Sequence, residues 1–269
     1  MITFTSAQLD TWLAIYLYPL ARILALLATA PIFNSAGLSA QLRLMAGLAI
    51  TLAIAPALPP ATMIIPPGSW QGLAVLGQQM LIGILMGFSL RLIFTAVDIA
   101  GELVGLQMGL SFATFFDPHS SAQTAVMSSF LGLITSLLFL SMNGHLLVLS
   151  VLAESFRVLP IGLKPFAASG FAALMAWSAT LFSSGLMLAL PMIAALMIAN
   201  ISLGVLARIA PQLNIFAVGF PVTSVTGFAM VMLSMPHLGD AMQRLYERGF
   251  VALSDILRAG GALPFSSGS

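Results

Sequence analysis

Cysteine is missing from the 269-residue sequence, so neither a disulfide framework nor a thiolate site is available, and no compartment follows from redox chemistry. Charge is nearly as scarce. Lys and Arg number 9 and Asp and Glu 8, or 6% of the residues, where soluble domains carry about 25%. The scarcity is uneven: positions 44–90, 118–153 and 165–207 hold no charged side chain. A net charge of +1 gives no electrostatic pull toward nucleic acid. Gly-rich phosphate loops, nucleophile elbows and His-Glu-x-x-His helices are absent as well. His119, His145 and His237 stand far apart with no carboxylate at ligand spacing. We therefore expect no enzyme, no metal and no cofactor.

What remains is 59% hydrophobic, and its solvent is lipid or other apolar helices. Crossing a hydrocarbon core of about 30 Å takes about 20 residues as a helix. Trp12–Phe33, Leu44–Ile65, Trp70–Leu90, Ala122–Leu152 and Ile215–Met235 each reach that length. A sixth stretch, Phe171–Leu206, would make a helix of roughly 54 Å. Pro191 near its middle removes an amide donor, so the stretch is a kinked helix or a tight hairpin. The expected fold is all-α: membrane-associated helical hairpins, about six long apolar helices and a C-terminal amphipathic helix. In that last helix Leu238, Met242, Leu245, Gly249, Ala252 and Ile256 repeat on one face, for docking on a partner or a membrane surface. Residues 1–10 lack the Lys or Arg of a cleaved signal, so we expect the N-terminus to be retained. Loop charges place Arg43, Arg91 and Arg208 against Arg157, Lys164, Arg244, Arg248 and Arg258, a balance that leaves the orientation open.

Breakers cluster at Pro56–Gly68, at Leu159–Pro165 and at Ala210–Asn214. The second cluster separates an expected N-terminal region, residues 1–164, from a C-terminal one, residues 165–260, with 261–269 as a flexible tail. The most specific chemistry follows the third apolar stretch. In a helix continued past Arg91, steps of seven, four, three and four put Arg91, Asp98, Glu102, Gly105 and Gly109 on one stripe, beside Gly101. Glycines at that spacing admit a close neighbour, and charges near a membrane must be paired or wet. The stripe reads as a packing seam between subunits or the wall of an aqueous passage, while the plainer reading is a solvated helix face. Next come Gly109, Leu110, Ser111, Phe112, Ala113, Thr114, Phe115, Phe116, Asp117 and Pro118. Their phenylalanines either fill a core gap or form an apolar constriction that closes a pore.

Four patterns in register carry a resemblance: Gly101–Ala113, Phe139–His145, Leu159–Gly162 and Arg208–Pro221. Together they resemble the FliR family of bacterial flagellar biosynthesis, with Gly219, Phe220 and Pro221 tilting toward the flagellar rather than the injectisome branch. The resemblance implies a non-enzymatic core subunit of the type III export gate in the bacterial inner membrane and flagellar basal body. It implies assembly with FliP and FliQ beside FlhB, with FlhA as a further candidate neighbour, in contact with membrane lipid. Unfolded flagellar subunits would pass through the resulting helical, hetero-oligomeric pore. By the same resemblance, 1–164 is similar to FliP and 165–260 to FliQ, the assembly stands toward the periplasmic side, and 109–118 is the channel plug. Arg91, Asp98, Gly101, Glu102 and Gly105 then form a subunit-packing seam. Arg208, Pro211, Gln212, Asn214, Gly219, Phe220 and Pro221 form a second packing motif. Two other classes stay open: a proton-coupled secondary transporter using Asp98 and Glu102 with Arg91, and a membrane scaffold without a plug.

Overall fold

The computed structural model describes residues 6–34, 37–58, 65–110, 126–212 and 215–261, with side chains at all of these but 6–9 and 215–217. Seven α-helices lie among them: α1 (Ser6–Thr29), α2 (Ala40–Ile54), α3 (Trp70–Gln107), α4 (Val126–Ser141), α5 (Gly144–Val158), α6 (Ala168–Ile209) and α7 (Ile215–Gly261). No strand occurs among the described residues. Five of these helices are long and apolar enough to cross a membrane, and the bent pair α4–α5 makes a sixth candidate.

Local chemistry sets the helix ends. Ser39 caps α2 by accepting the Leu42 amide at 3.3 Å, and a 3-10 turn at Ala55–Ala57 closes the helix where Pro56 enters. Ser69 begins α3 by accepting the Gly72 amide at 3.0 Å after the Pro66–Pro67 turn. The expected single stretch 122–152 is two helices instead, with axes bent by 66°. Asn143 takes the left-handed conformation between them at φ 56°, which a short polar side chain tolerates better than most.

Prolines behave otherwise. α6 continues through Pro191, which disposes of the hairpin alternative, and α7 continues through both Pro221 and Pro236. The apolar stretch 215–235 and the amphipathic tail are therefore one helix of 47 residues. Each proline removes one backbone donor, but an apolar chain in a membrane has no better alternative than helix.

The chain forms two compact units that interleave along the sequence. The first takes Met1–Leu92, Asn143–Ser178 and Arg248–Ser269. Its α1 and α3 approach closely at Gly83, where an added Cβ would lie 3.0 Å from the Leu26 nitrogen, and at Gly87, 2.9 Å from the Ala30 nitrogen. Tyr18 packs with Ile65 and Val75 and donates its hydroxyl to the Ile65 carbonyl at 3.0 Å. The last carbonyls of α7 are covered here too, by Lys164 Nζ on Gly261 and Ser169 Oγ on Ala259, both at 2.8 Å.

The second unit takes Ile93–Met142 and Ala179–Glu247. Phe94, Phe139 and Tyr246 form an aromatic trio with centroids 5.3 to 6.2 Å apart, and the Tyr246 hydroxyl donates to the Thr135 carbonyl at 2.7 Å. Leu238, Met242 and Leu245 are buried here, and Gly249 and Ile256 in the first unit. The amphipathic face expected to meet a partner or a membrane surface is thus largely buried within its own chain. Asp240, Arg244, Glu247, Arg248, Asp255 and Arg258 lie exposed on the other side.

Candidate functional site

The stripe predicted on α3 is helical through Gln107, and its members divide by exposure. Arg91 and Glu102 are exposed, Asp98 is half-buried, and Gly101 and Gly105 are buried. Gly101 meets the α4 backbone: its missing Cβ would fall on Ser128 Cα and 2.7 Å from the Ser128 nitrogen. A Cβ at Gly105 would find only Met127 Cβ, at an ordinary 3.6 Å. Ser128 Oγ donates to Asp98 Oδ1 at 3.4 Å, so the carboxylate lies beside the same crossing. One edge of the stripe is thus covered by α4, while Arg91 and Glu102 share an open face with Met80, Ile84, Phe88 and Leu106.

The end of α3 is shaped by Gly109, whose φ of 78° lets the chain leave the helix in the left-handed region. The Leu110 amide returns to the Gly105 carbonyl at 3.1 Å and the Gly109 amide to Leu106 at 3.0 Å. This pair of bonds is a Schellman closure. Of the expected plug, Gly109 and Leu110 are half-buried at this closure, whereas Ser111, Phe112, Ala113, Thr114, Phe115, Phe116, Asp117 and Pro118 lie outside the described residues. So do Asn214 of the second motif, His119 and positions 262–269 of the tail. Arg208 ends α6 exposed, Pro211 and Gln212 form an exposed turn, and Gly219, Phe220 and Pro221 lie inside α7 with Phe220 and Pro221 exposed. Among the described residues, no pocket is formed by the two motifs together. They are stretches of helix surface and helix end.

Sequence reasoning passed over a heavily bonded side chain of the first unit. Arg22 sits inside α1, within a candidate membrane span, and is fully buried. Its Nε–H donates to Gln79 Oε1 at 2.9 Å, Nη1 to Ser155 Oγ at 2.9 Å and Nη2 to the Leu159 carbonyl at 2.8 Å. The guanidinium also lies 4.1 Å over the Phe156 ring. Four residues from two other stretches, α3 and the end of α5, therefore converge on one cation whose hydrogen-bond partners are all neutral. The signal was present in the sequence: an arginine within an apolar stretch is expensive in a membrane unless several groups solvate it.

Residues 13–249 match the family of bacterial export proteins, family 1. Among curated proteins the chain is similar to the flagellar biosynthetic protein FliR of Pectobacterium carotovorum, at 44% identity over 96% of this chain and 98% of that one. It is 43% identical to FliR of Escherichia coli K12 over the same shares, and 34% identical to FliR of Buchnera aphidicola from Acyrthosiphon pisum over 92% of this chain and 95% of that one.

Proposed function

We infer function from membership: this chain belongs to the bacterial export proteins, family 1, and within them to the flagellar biosynthetic FliR proteins. It is a membrane-embedded component of flagellar protein export. Its role is that of a non-enzymatic core subunit of the export gate, where one copy completes a helical channel with FliP and FliQ beside FlhB and FlhA. Unfolded flagellar subunits cross the inner membrane through that channel, which stands toward the periplasmic side. Residues 1–164 serve as a FliP-like element and 165–260 as a FliQ-like one.

What carries this reading is the exposed apolar length of α6. Exposed large side chains run from Phe171 through Phe182, Met187 and Ile198 to Ile209. That is roughly 57 Å of helix. Even a 40° tilt stretches a hydrocarbon core of about 30 Å to only about 39 Å of helix. The surplus must be covered by protein, and a monomeric transporter offers none. Val218, Phe220, Val222 and Val225 extend the uncovered surface into α7, beside the second motif.

In this gate the segment 109–118 acts as the apolar plug, and Arg91, Asp98 and Glu102 serve the subunit seam. Deleting Phe112–Phe116 tests the plug. The complex should still assemble and co-purify, while membranes holding it gain a conductance to small ions. Assembled complexes with unchanged conductance would remove the plug from the proposal.

A further inference from the structure

A small contact holds the C-terminal end of α3 against α7. Met108 is fully buried, and its side chain occupies the space that a Cβ at Gly227 would need, with Met108 Cε 2.7 Å from that position. The Thr223 hydroxyl, one turn earlier on α7, donates to the Met108 carbonyl at 3.0 Å. That carbonyl is among the last of a helix and has no helical donor of its own. Asn200 of α6 adds a weaker hold, its amide nitrogen 3.4 Å from both the Gln107 carbonyl and the Gln107 side-chain oxygen.

Thr223 differs from Tyr246, which makes another long-range hydroxyl contact in this unit. A hydroxyl carries a single proton, and that of Thr223 has three acceptors at nearly equal range: Met108 O at 3.0 Å and its own helix carbonyls Gly219 O and Phe220 O, both at 3.1 Å. Rotation about one bond moves the proton from the neighbouring helix to its own. Undocking α3 therefore leaves no orphaned donor on α7. Tyr246, whose phenol cannot reach its own backbone, has no such second choice when it leaves the Thr135 carbonyl. Met108, unbranched and flexible, is equally suited to leaving and re-entering the Gly227 notch.

We propose that Thr223 is a positioning residue whose shared proton makes the Met108–Gly227 contact a reversible latch between α3 and α7, and that this latch opens during export. The functional half rests on the export reading; the latch itself does not. Because the chain has no cysteine, Met108→Cys with Gly227→Cys provides its only cysteine pair. In inverted membrane vesicles carrying the whole export complex, oxidising that pair should cut transport of added flagellar subunits about tenfold, and dithiothreitol should restore it. Full transport with the cross-link complete would overturn the opening step.

Thr223→Val reads the latch separately. Loss of one buried hydrogen bond should raise amide exchange at Gly109 and Leu110 about tenfold, while Thr223→Ser keeps the slow exchange of the parent. Equal exchange in the Val variant and the parent would overturn the latch. Should vesicles lacking the chain altogether transport as well as complete ones, the export reading falls, and the exchange data still decide whether the latch exists.

Discussion

Arg22→Leu is expected to lose about 2–5 kcal/mol of stability in the first unit, enough to lower the amount of folded chain in the membrane several-fold. The estimate comes from what the side chain leaves behind. Gln79 Oε1 and the Leu159 carbonyl lose their donor, and each orphaned buried acceptor costs about 1–3 kcal/mol. Ser155 suffers less, because its hydroxyl also donates to the Leu152 carbonyl at 2.6 Å. Arg22→Lys should do no better: an ammonium keeps the buried charge but cannot fork to three acceptors held in the plane of a guanidinium. The double variant Arg22→Met with Gln79→Leu should recover some of the loss. It removes a polar group whose Nε2 is already buried without a partner, and replacing both members by apolar groups is often nearly neutral. Urea midpoints of the purified protein in detergent would measure these differences. A midpoint for Arg22→Leu equal to the parent's would show that the convergence on Arg22 contributes nothing.

Gly101→Ala and Gly105→Ala should behave differently although four residues separate them on one face. At Gly101 the new methyl meets main-chain atoms of Ser128 and the Met127 carbonyl carbon at 3.1 Å, and backbone cannot rotate away. Overpacking of this kind costs about 1–3 kcal/mol, and leucine there should separate α3 from α4 altogether. At Gly105 the methyl finds an ordinary contact, and alanine in a helix gains roughly 0.5–1 kcal/mol over glycine. Gly105→Ala should therefore be neutral or stabilising in the isolated chain. Its urea midpoint then serves as the control against which Gly101→Ala is read. Gly101→Ala folding as well as the parent would contradict the close α3–α4 crossing.

This pair also shows what was legible in the residues. The spacing of small and charged groups marked α3 as a packing helix, and hydropathy located the apolar body of every long helix, because both signals are local. What covers each face is not local. Nothing near Gly101 names Ser128 as its neighbour, and nothing in the amphipathic run from Leu238 to Ile256 reveals that the chain itself buries most of it. In the sequence Pro191 leaves a kinked helix and a hairpin both open, and the apolar stretch ending at Met235 reads apart from the tail that follows it. Pro191 and Pro236 stop nothing, since an apolar chain gains little by leaving the helix in lipid, whereas Asn143, a less conspicuous breaker, turns the chain by 66°. Arg22 was hidden by its company: one cation among apolar neighbours barely lowers a hydropathy average, though its cost in a membrane makes it the most demanding residue of α1.

The surplus length of α6 bears on the early life of the molecule. In the proposed gate, a copy that reaches the membrane ahead of its partners has part of its apolar flank covered by neither lipid nor protein. Synthesis out of step with its neighbours leaves a sticky orphan for proteases to clear. On the proposed reading, production matched to that of the companion proteins is thus a requirement set by the length of one helix.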